Sequence, residues 1–238
     1  MRVLAGTSGF SYKEWKGSFY PETMKESGML SYYGDRFDTV ELNNTFYRLP
    51  TEATLQSWAS QVPPQFQFAL KASRIITHIR RLKDVADPVA YLFRTVGVLG
   101  DRCGPVLFGL PPNMKKDIDR LVTLLARVPS GTRIAFEFRH DSWLSDDVFD
   151  ALRAREAALC IAQTEEVETP LVSTAGWGYV RLRKEQYDAG ELAAWRTRIA
   201  EQPWSDAYVY FKHEEAGTGP RLAREFLALE PRALPTRQ

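Results

Sequence analysis

Eight short runs with strand character recur along these 238 residues, and helix-patterned stretches lie between most of them. No other feature constrains the fold as much. The runs cover residues 3–6, 38–42, 67–71, 106–110, 133–138, 158–162, 178–183 and 207–212. Between them Leu30/Tyr33/Phe37, Leu55/Trp58/Val62, Ile118/Leu121/Leu125, Val148/Phe149/Leu152, Leu192/Trp195/Ile199 and Leu222/Phe226/Leu229 recur near helical spacing. Repeated βα units imply parallel strands joined by right-handed crossovers. Eight units at this length point to an α/β fold, a closed TIM-barrel-like (β/α)8 barrel before an open doubly wound sheet. No linker, repeat or low-complexity segment divides the chain, so 1–238 reads as a single barrel domain. The interval 165–177, with Pro170 and Gly176, is too short for a crossover helix, and the barrel is expected to be irregular between strands six and seven.

Residues two apart on a strand share a face. Val40 and Leu42 therefore oppose Thr39, Glu41 and Asn43; Ile134, Phe136 and Phe138 oppose Ala135, Glu137 and Arg139; Val180 and Leu182 oppose Tyr179, Arg181 and Arg183. One face is suited to pack on helices. The other carries charge toward the carboxyl ends of the strands, which in a barrel converge on the mouth where active sites are assembled.

Tyr12, Trp15, Glu41, Asn43, Tyr47, Lys71, Arg74, His78, Glu137, Arg139, His140 and Trp143 all stand where an apolar run gives way to a polar and aromatic string. Glu41 and Glu137 are the candidate catalytic pair. Lost hydration raises a carboxyl pKa and a nearby cation lowers it, so such a pair can be tuned for acid/base chemistry in a hydrolase, lyase or isomerase. The competing role is an internal ion pair that braces the barrel. Lys71, Arg74 and His78, with Arg139, His140, Arg181 and Lys212, would give the mouth a positive potential suited to phosphate or carboxylate. Tyr12, Trp15, Phe46, Tyr47 and Trp143, beside the polar Asn43, offer rings for stacking on a sugar or base, with core packing as the alternative. His78 and His140 could join either glutamate around a divalent metal, but no HxH or HExxH spacing is present, and no cofactor is expected. GTSG at 6–9 lacks the spacing of a dinucleotide or Walker A loop.

Composition narrows the partners. Lys and Arg total 31 against 30 Asp and Glu, a net charge of +1, so no global field draws the chain to DNA or to an anionic membrane. Cys103 and Cys160 are far apart and form no CxxC, as suits reduced thiols. No signal-peptide core and no run near the ~20 apolar residues of a membrane span is present, so the expected location is the cytoplasm, with no membrane partner. A small anionic and possibly sugar-like substrate comes first. Nucleic acid and a noncatalytic ligand-binding barrel are the alternatives.

GTSGFSYKEWKGSFYP at 6–21, TVELNNTFYRLP at 39–50, FALKASRIITH at 68–78, GPVLFGLPPN at 104–113 and EFRHDSW at 137–143 together resemble the YecE-like family, the domain of unknown function number 72. The likeness spans essentially the whole chain. It implies a TIM-barrel-like fold with a polar cleft formed by those strings, and no established activity. Two places depart from the family pattern: Gln163 stands where an Asp is frequent after the sixth strand, and FKHEE at 211–215 replaces an FNND-like segment after the eighth.

Overall fold

The computed structural model describes residues 1–213 and 215–229; Glu214 and 230–238 of the expected domain lie outside the described residues. Strands β1 (Arg2–Thr7), β2 (Thr39–Leu42), β3 (Gln67–Lys71), β4 (Cys103–Gly109), β5 (Ile134–Glu137), β6 (Ala158–Gln163), β7 (Trp177–Leu182) and β8 (Asp206–Phe211) pair in parallel around a nearly closed barrel. Helices α1 (Glu26–Gly34), α2 (Glu52–Ala59), α3 (Ala86–Val96), α4 (Ile118–Leu125), α5 (Asp146–Arg153), α6 (Ala189–Ala200) and α7 (Thr218–Ala228) alternate with them. The sequence patterning leaves α3 unassigned. Its buried stripe of Val89, Leu92, Phe93 and Val96 has helical spacing, and Pro88 sits in the first turn, where a missing N–H costs nothing.

Alternation along the strands sorts the core into two shells. Val40, Leu42, Phe68, Leu70, Val106, Phe108, Ile134, Phe136, Val180 and Leu182 face outward and pack with the helices. Inside the barrel, small Ala69, Ala135 and Ala158 on β3, β5 and β6 meet large Trp177, Tyr179, Tyr208 and Tyr210 on β7 and β8. Small against large fills the interior without a pore. Each interior tyrosine hydroxyl also reaches a partner across the barrel: Tyr210 pairs with the Thr39 hydroxyl at 2.7 Å, Tyr179 donates to Glu41 at 2.8 Å, and Tyr208 accepts from Arg133 at 2.9 Å.

The seam between β1 and β2 closes differently from the rest. Among the described residues the only backbone bridge there pairs Ser8 with Glu41, just past the end of β1, and the Gly9 N–H donates to the Glu41 carbonyl at 2.8 Å. Deeper in the seam the buried Tyr33 hydroxyl accepts from the Thr7 N–H at 2.9 Å and donates to the Thr39 carbonyl at 3.1 Å, standing in for a ladder bond. Gly6 is required beside it, because a Cβ there would lie 2.2 Å from the Thr39 carbonyl oxygen.

No helix separates β6 from β7, as expected. The chain instead turns back on β6, where Gln163 and Glu168 form an antiparallel bridge. The Thr174 hydroxyl then accepts from the Leu159 N–H at 2.8 Å and donates to the Ala157 carbonyl at 2.7 Å. Among the described residues no helix is long and apolar enough to cross a membrane.

Candidate functional site

Glu41, Lys71, Glu137 and Arg181 occupy the last or penultimate positions of β2, β3, β5 and β7, so the barrel gathers them at its carboxyl end. Arg181 is the hub. Its guanidinium donates to Glu41 Oε2 at 2.9 Å and to Glu137 Oε2 at 2.7 Å, and all three side chains are buried. Glu41 also accepts from Ser8 at 2.6 Å, Asn43 at 3.0 Å and Tyr179 at 2.8 Å. Glu137 also accepts from Arg183 at 3.0 Å and, at 3.4 Å, from Arg139. The Arg181 Nε is buried without a hydrogen-bond partner among the described residues.

Burial alone would raise both carboxyls. For Glu137 the charges of Arg181, Arg139, Arg183 and Lys71 outweigh it and hold the group down to about 2. For Glu41 the Arg181 charge and the hydrogen bonds from Ser8 and Tyr179 again leave the group below its ordinary value. Both carboxylates are ionised at neutral pH and hold no proton to give to a substrate.

Lys71 sits in the same cluster under different conditions. The Thr45 hydroxyl accepts from its N–H at 3.0 Å and lies 2.7 Å from its carbonyl oxygen, which pins the backbone. Its Nζ lies 4.8 Å from the centre of the Phe46 ring. A Cβ at Gly109 would be 3.3 Å from Glu137 Oε2 and 3.5 Å from Lys71 Cε, so this glycine lets the two side chains stand side by side. Among the described residues the ammonium makes no ion pair, because the arginines already occupy the carboxylate oxygens. Burial, and then the Arg181 charge, lower its pKa to about 8 against the pull of Glu137 and Glu41.

His78 lies on a π-helical turn, Ile75–Ile79, directly after β3; such turns are rare and recur at functional sites. Its Nδ1 pairs with the Thr77 hydroxyl at 2.9 Å and its ring meets Phe46 edge to face at 4.8 Å. Burial and the charges of Arg139 and Lys71 lower its pKa, so it is neutral at neutral pH. Arg81, Leu82 and Asp84, just beyond, all have left-handed backbone angles, a concentration of strain rare for side-chain-bearing residues.

An open cleft of about 830 Å³ adjoins the network on the β7 and β8 side, lined by Arg183, Lys184, Lys212, His213 and Arg221 among others. Arg183 belongs to both, facing the cleft and bonded to Glu137. In this cleft Lys184 is paired with Glu191 and Arg221 with Glu225. His213 meets the Lys184 carbonyl through Nε2, while its Nδ1 is buried without a hydrogen-bond partner among the described residues.

The family profile described as "Protein of unknown function DUF72" matches residues 4–236. The chain belongs to the DUF72 family. UPF0759 protein YunF of Bacillus subtilis (strain 168) is 26% identical over 141 residues, which is 56% of this chain and 50% of that protein. The chain thus aligns with about half the length of that curated relative. A DUF72 family protein of Thermotoga maritima MSB8, in a crystal structure at 2.20 Å resolution, superposes with a TM-score of 0.83 at 25% identity, over 95% of this chain and 98% of that one. A DUF72 family protein of Enterococcus faecalis V583 shares the fold at 16% identity, with a TM-score of 0.75 over 96% of this chain and 98% of that one.

Several residues expected at the site of this DUF72 protein lie elsewhere. Trp15 and Trp143, expected as stacking platforms, are fully buried. Trp143 stacks on Phe138 at 4.9 Å and donates to the Met114 carbonyl at 2.8 Å, while Trp15 packs in a cluster with Tyr12, Phe19 and Tyr20. Both strings fold back on short helical turns that put the indole inward, where its large apolar area is best removed from water. Tyr12 is half-buried and donates to the Ser8 carbonyl at 2.8 Å. Tyr47 and Arg74 are exposed, with the Arg74 guanidinium 6.0 Å from the Tyr47 ring centre. His140 Nδ1 accepts from the Ser142 N–H at 3.1 Å and caps its own turn. Lys212 is exposed at the cleft. Among the described residues no three His, Cys, Asp or Glu side chains gather as a metal-binding group.

Phe46, one of the expected rings, lies against Lys71 and His78, and Ser8, Tyr179, Arg183, Lys184 and Arg221 complete the site beyond the candidate site residues read from sequence. Tyr179 and Arg183 share the face of Arg181, and the same alternation that exposed Arg181 pointed to them. The fold brings in Ser8 from just past β1 and Arg221 from the first turns of α7. Gln163, at the first departure from the family pattern, spends its amide on Trp195 and Glu168, at 2.8 Å each. At the second departure Glu214 lies outside the described residues.

Proposed function

We propose that this DUF72 protein is an enzyme acting on a small molecule that carries a phosphate or carboxylate, bound at the carboxyl ends of the strands. One observation carries the reading. Four cations, Lys71, Arg139, Arg181 and Arg183, surround two carboxylates, Glu41 and Glu137, so the cluster holds a net surplus of positive charge next to an open cleft. Partly buried surplus charge favours an anion of opposite sign, and a guanidinium offers such an anion paired donors. Arg183 and Lys212 face the cleft and engage the anionic group. Lys71, whose pKa is lowered toward neutrality, and His78, held neutral and so able to accept a proton, are the groups suited to proton movement near neutral pH. Glu137 beside Lys71 stabilises positive charge as it develops there, and Glu41 with Arg181 braces the arrangement.

The test is a thermal-shift screen of the purified protein with sugar phosphates, organic acids, divalent metals and short single-stranded DNA and RNA, alongside Arg183→Met. Small anions are expected to raise the melting temperature of the parent protein and to lose most of that effect in the variant. Stabilisation by oligonucleotides alone, fading steeply with salt, would replace this reading with nucleic-acid binding. No response to any small anion would refute it.

A further inference from the structure

We infer that Lys71 captures the carbonyl carbon of a keto- or aldehyde-bearing anion as an imine. The inference rests on the proposed anion site and narrows its substrate class. An ion-paired or fully exposed lysine would supply charge alone. Lys71 is half-buried and, among the described residues, not ion-paired: its backbone is clamped by Thr45, its side chain runs between the Phe46 ring and Gly109, and the oxygens of both nearby carboxylates are taken by arginine, serine, asparagine and tyrosine donors. The arrangement leaves the ammonium without an ion pair among the described residues while keeping Arg181 and Arg139 close enough to disfavour its charge. With a pKa of about 8, the fraction present as free amine at pH 7 exceeds that of an ordinary lysine by about two orders of magnitude.

The chemistry balances without an oxidant, a reductant or a further reactant. The amine nitrogen forms a bond to the carbonyl carbon, and the carbonyl oxygen takes up a proton, giving a carbinolamine. A second proton reaches that hydroxyl, the C–O bond breaks, and water leaves behind a protonated imine. The net change is ammonium plus carbonyl to iminium plus water. Two groups suit the proton traffic and the new charge. His78 is neutral, and its Nε2 has no protein partner among the described residues, so it can carry a proton between nitrogen and oxygen. Glu137 Oε2, on the Lys71 side of the network, offsets the iminium charge.

The experiment incubates the intact protein at pH 7 with glyoxylate, pyruvate or glyceraldehyde 3-phosphate and sodium cyanoborohydride, and maps the reduced adducts by mass spectrometry. Adduct at Lys71 is expected to exceed that at exposed Lys13 and Lys83 by at least about ten-fold, given the free-amine fraction, and to fall when inorganic phosphate competes. Its rate should rise with pH to a midpoint of about 8. Lys71→Arg should lose the adduct and keep the thermal shift produced by phosphate; Lys71→Met checks the first result without the bulk of arginine. A phosphate-induced thermal shift without preferential labelling of Lys71 would overturn the imine and leave the anion site standing. No thermal shift and no preferential labelling would overturn both. Equal labelling of Lys71 by neutral formaldehyde and by the anionic carbonyls, with no competition by phosphate, would overturn the assignment of an anionic substrate class.

Discussion

Arg181 is the residue on which the mouth depends. A fully buried guanidinium bonded to two buried carboxylates is costly to assemble, and removing the cation leaves Glu41 buried without its ion-pair partner and Glu137 held only by Arg183 and Arg139. Arg181→Met is expected to destabilise the fold by ~3–5 kcal/mol in urea denaturation at pH 7. Acid should act through the same cluster. The Glu137 carboxyl is lowered from 4.5 to about 2, so its contribution is complete above about pH 4.5 and is lost as pH falls toward 2. That loss amounts to about 3 kcal/mol on the usual conversion. Glu137→Gln should flatten this part of the stability profile, and an unchanged acid slope in the variant would show that Glu137 does not carry it. For Arg181→Met the sign reverses. Burial then raises the Glu41 carboxyl, which has lost its ion-pair partner, and the gap to the parent protein should narrow as pH falls from 7 to 4.

At the scale of elements, the β1–β2 seam is where the barrel is least secured by backbone pairing. One phenolic hydroxyl joins Thr7 to Thr39 across it. Tyr33→Phe keeps the packing of the ring but strands a buried N–H and a buried C=O, a cost of about 1–3 kcal/mol. Hydrogen exchange at the Thr7 amide should accelerate more in this variant than exchange in β7 and β8, whose ladder runs uninterrupted from Trp177 to Leu182. Equal acceleration throughout would mean that the seam opens only with global unfolding. Gly6→Ala should be worse, since its Cβ meets the Thr39 carbonyl oxygen at 2.2 Å and can be accommodated only by parting the two strands. Ser8 and Glu41 sit at the end of the same seam, so its closure and the placement of the candidate site are coupled.

Across the whole molecule a net charge of +1 hides a strongly uneven distribution. The consequence is an anion effect that global charge does not foresee. An anion that binds the native mouth should stabilise the fold by ~2.7 kcal/mol at ~100 times its Kd. At constant ionic strength, phosphate should therefore raise the melting temperature more than chloride does, and Arg183→Met should abolish the difference. A difference that survives in the variant would place the effect away from the mouth, in general surface exclusion of the salt.

The order of strands and helices, the parallel barrel, the inward and outward faces and the irregular β6–β7 link were legible in the sequence, because each follows from spacing a few residues long. So was the gathering of Glu41, Lys71, Glu137 and Arg181 at the mouth, since alternation and position on a strand determine both face and end. The α3 stripe is equally local, but it directly follows a basic loop with left-handed backbone angles that interrupts the helical pattern. Tertiary structure alone decided who pairs with whom. Residues 140 apart in sequence, Glu41 and Arg181, meet because the barrel closes, and their pairing leaves Lys71 without an ion pair among the described residues. The burial of Trp15 and Trp143 was likewise decided by turns whose direction no periodicity encodes. A pKa depends on burial and on charges brought from other strands, so the same local words can spell a brace or a reactive group until the chain has folded.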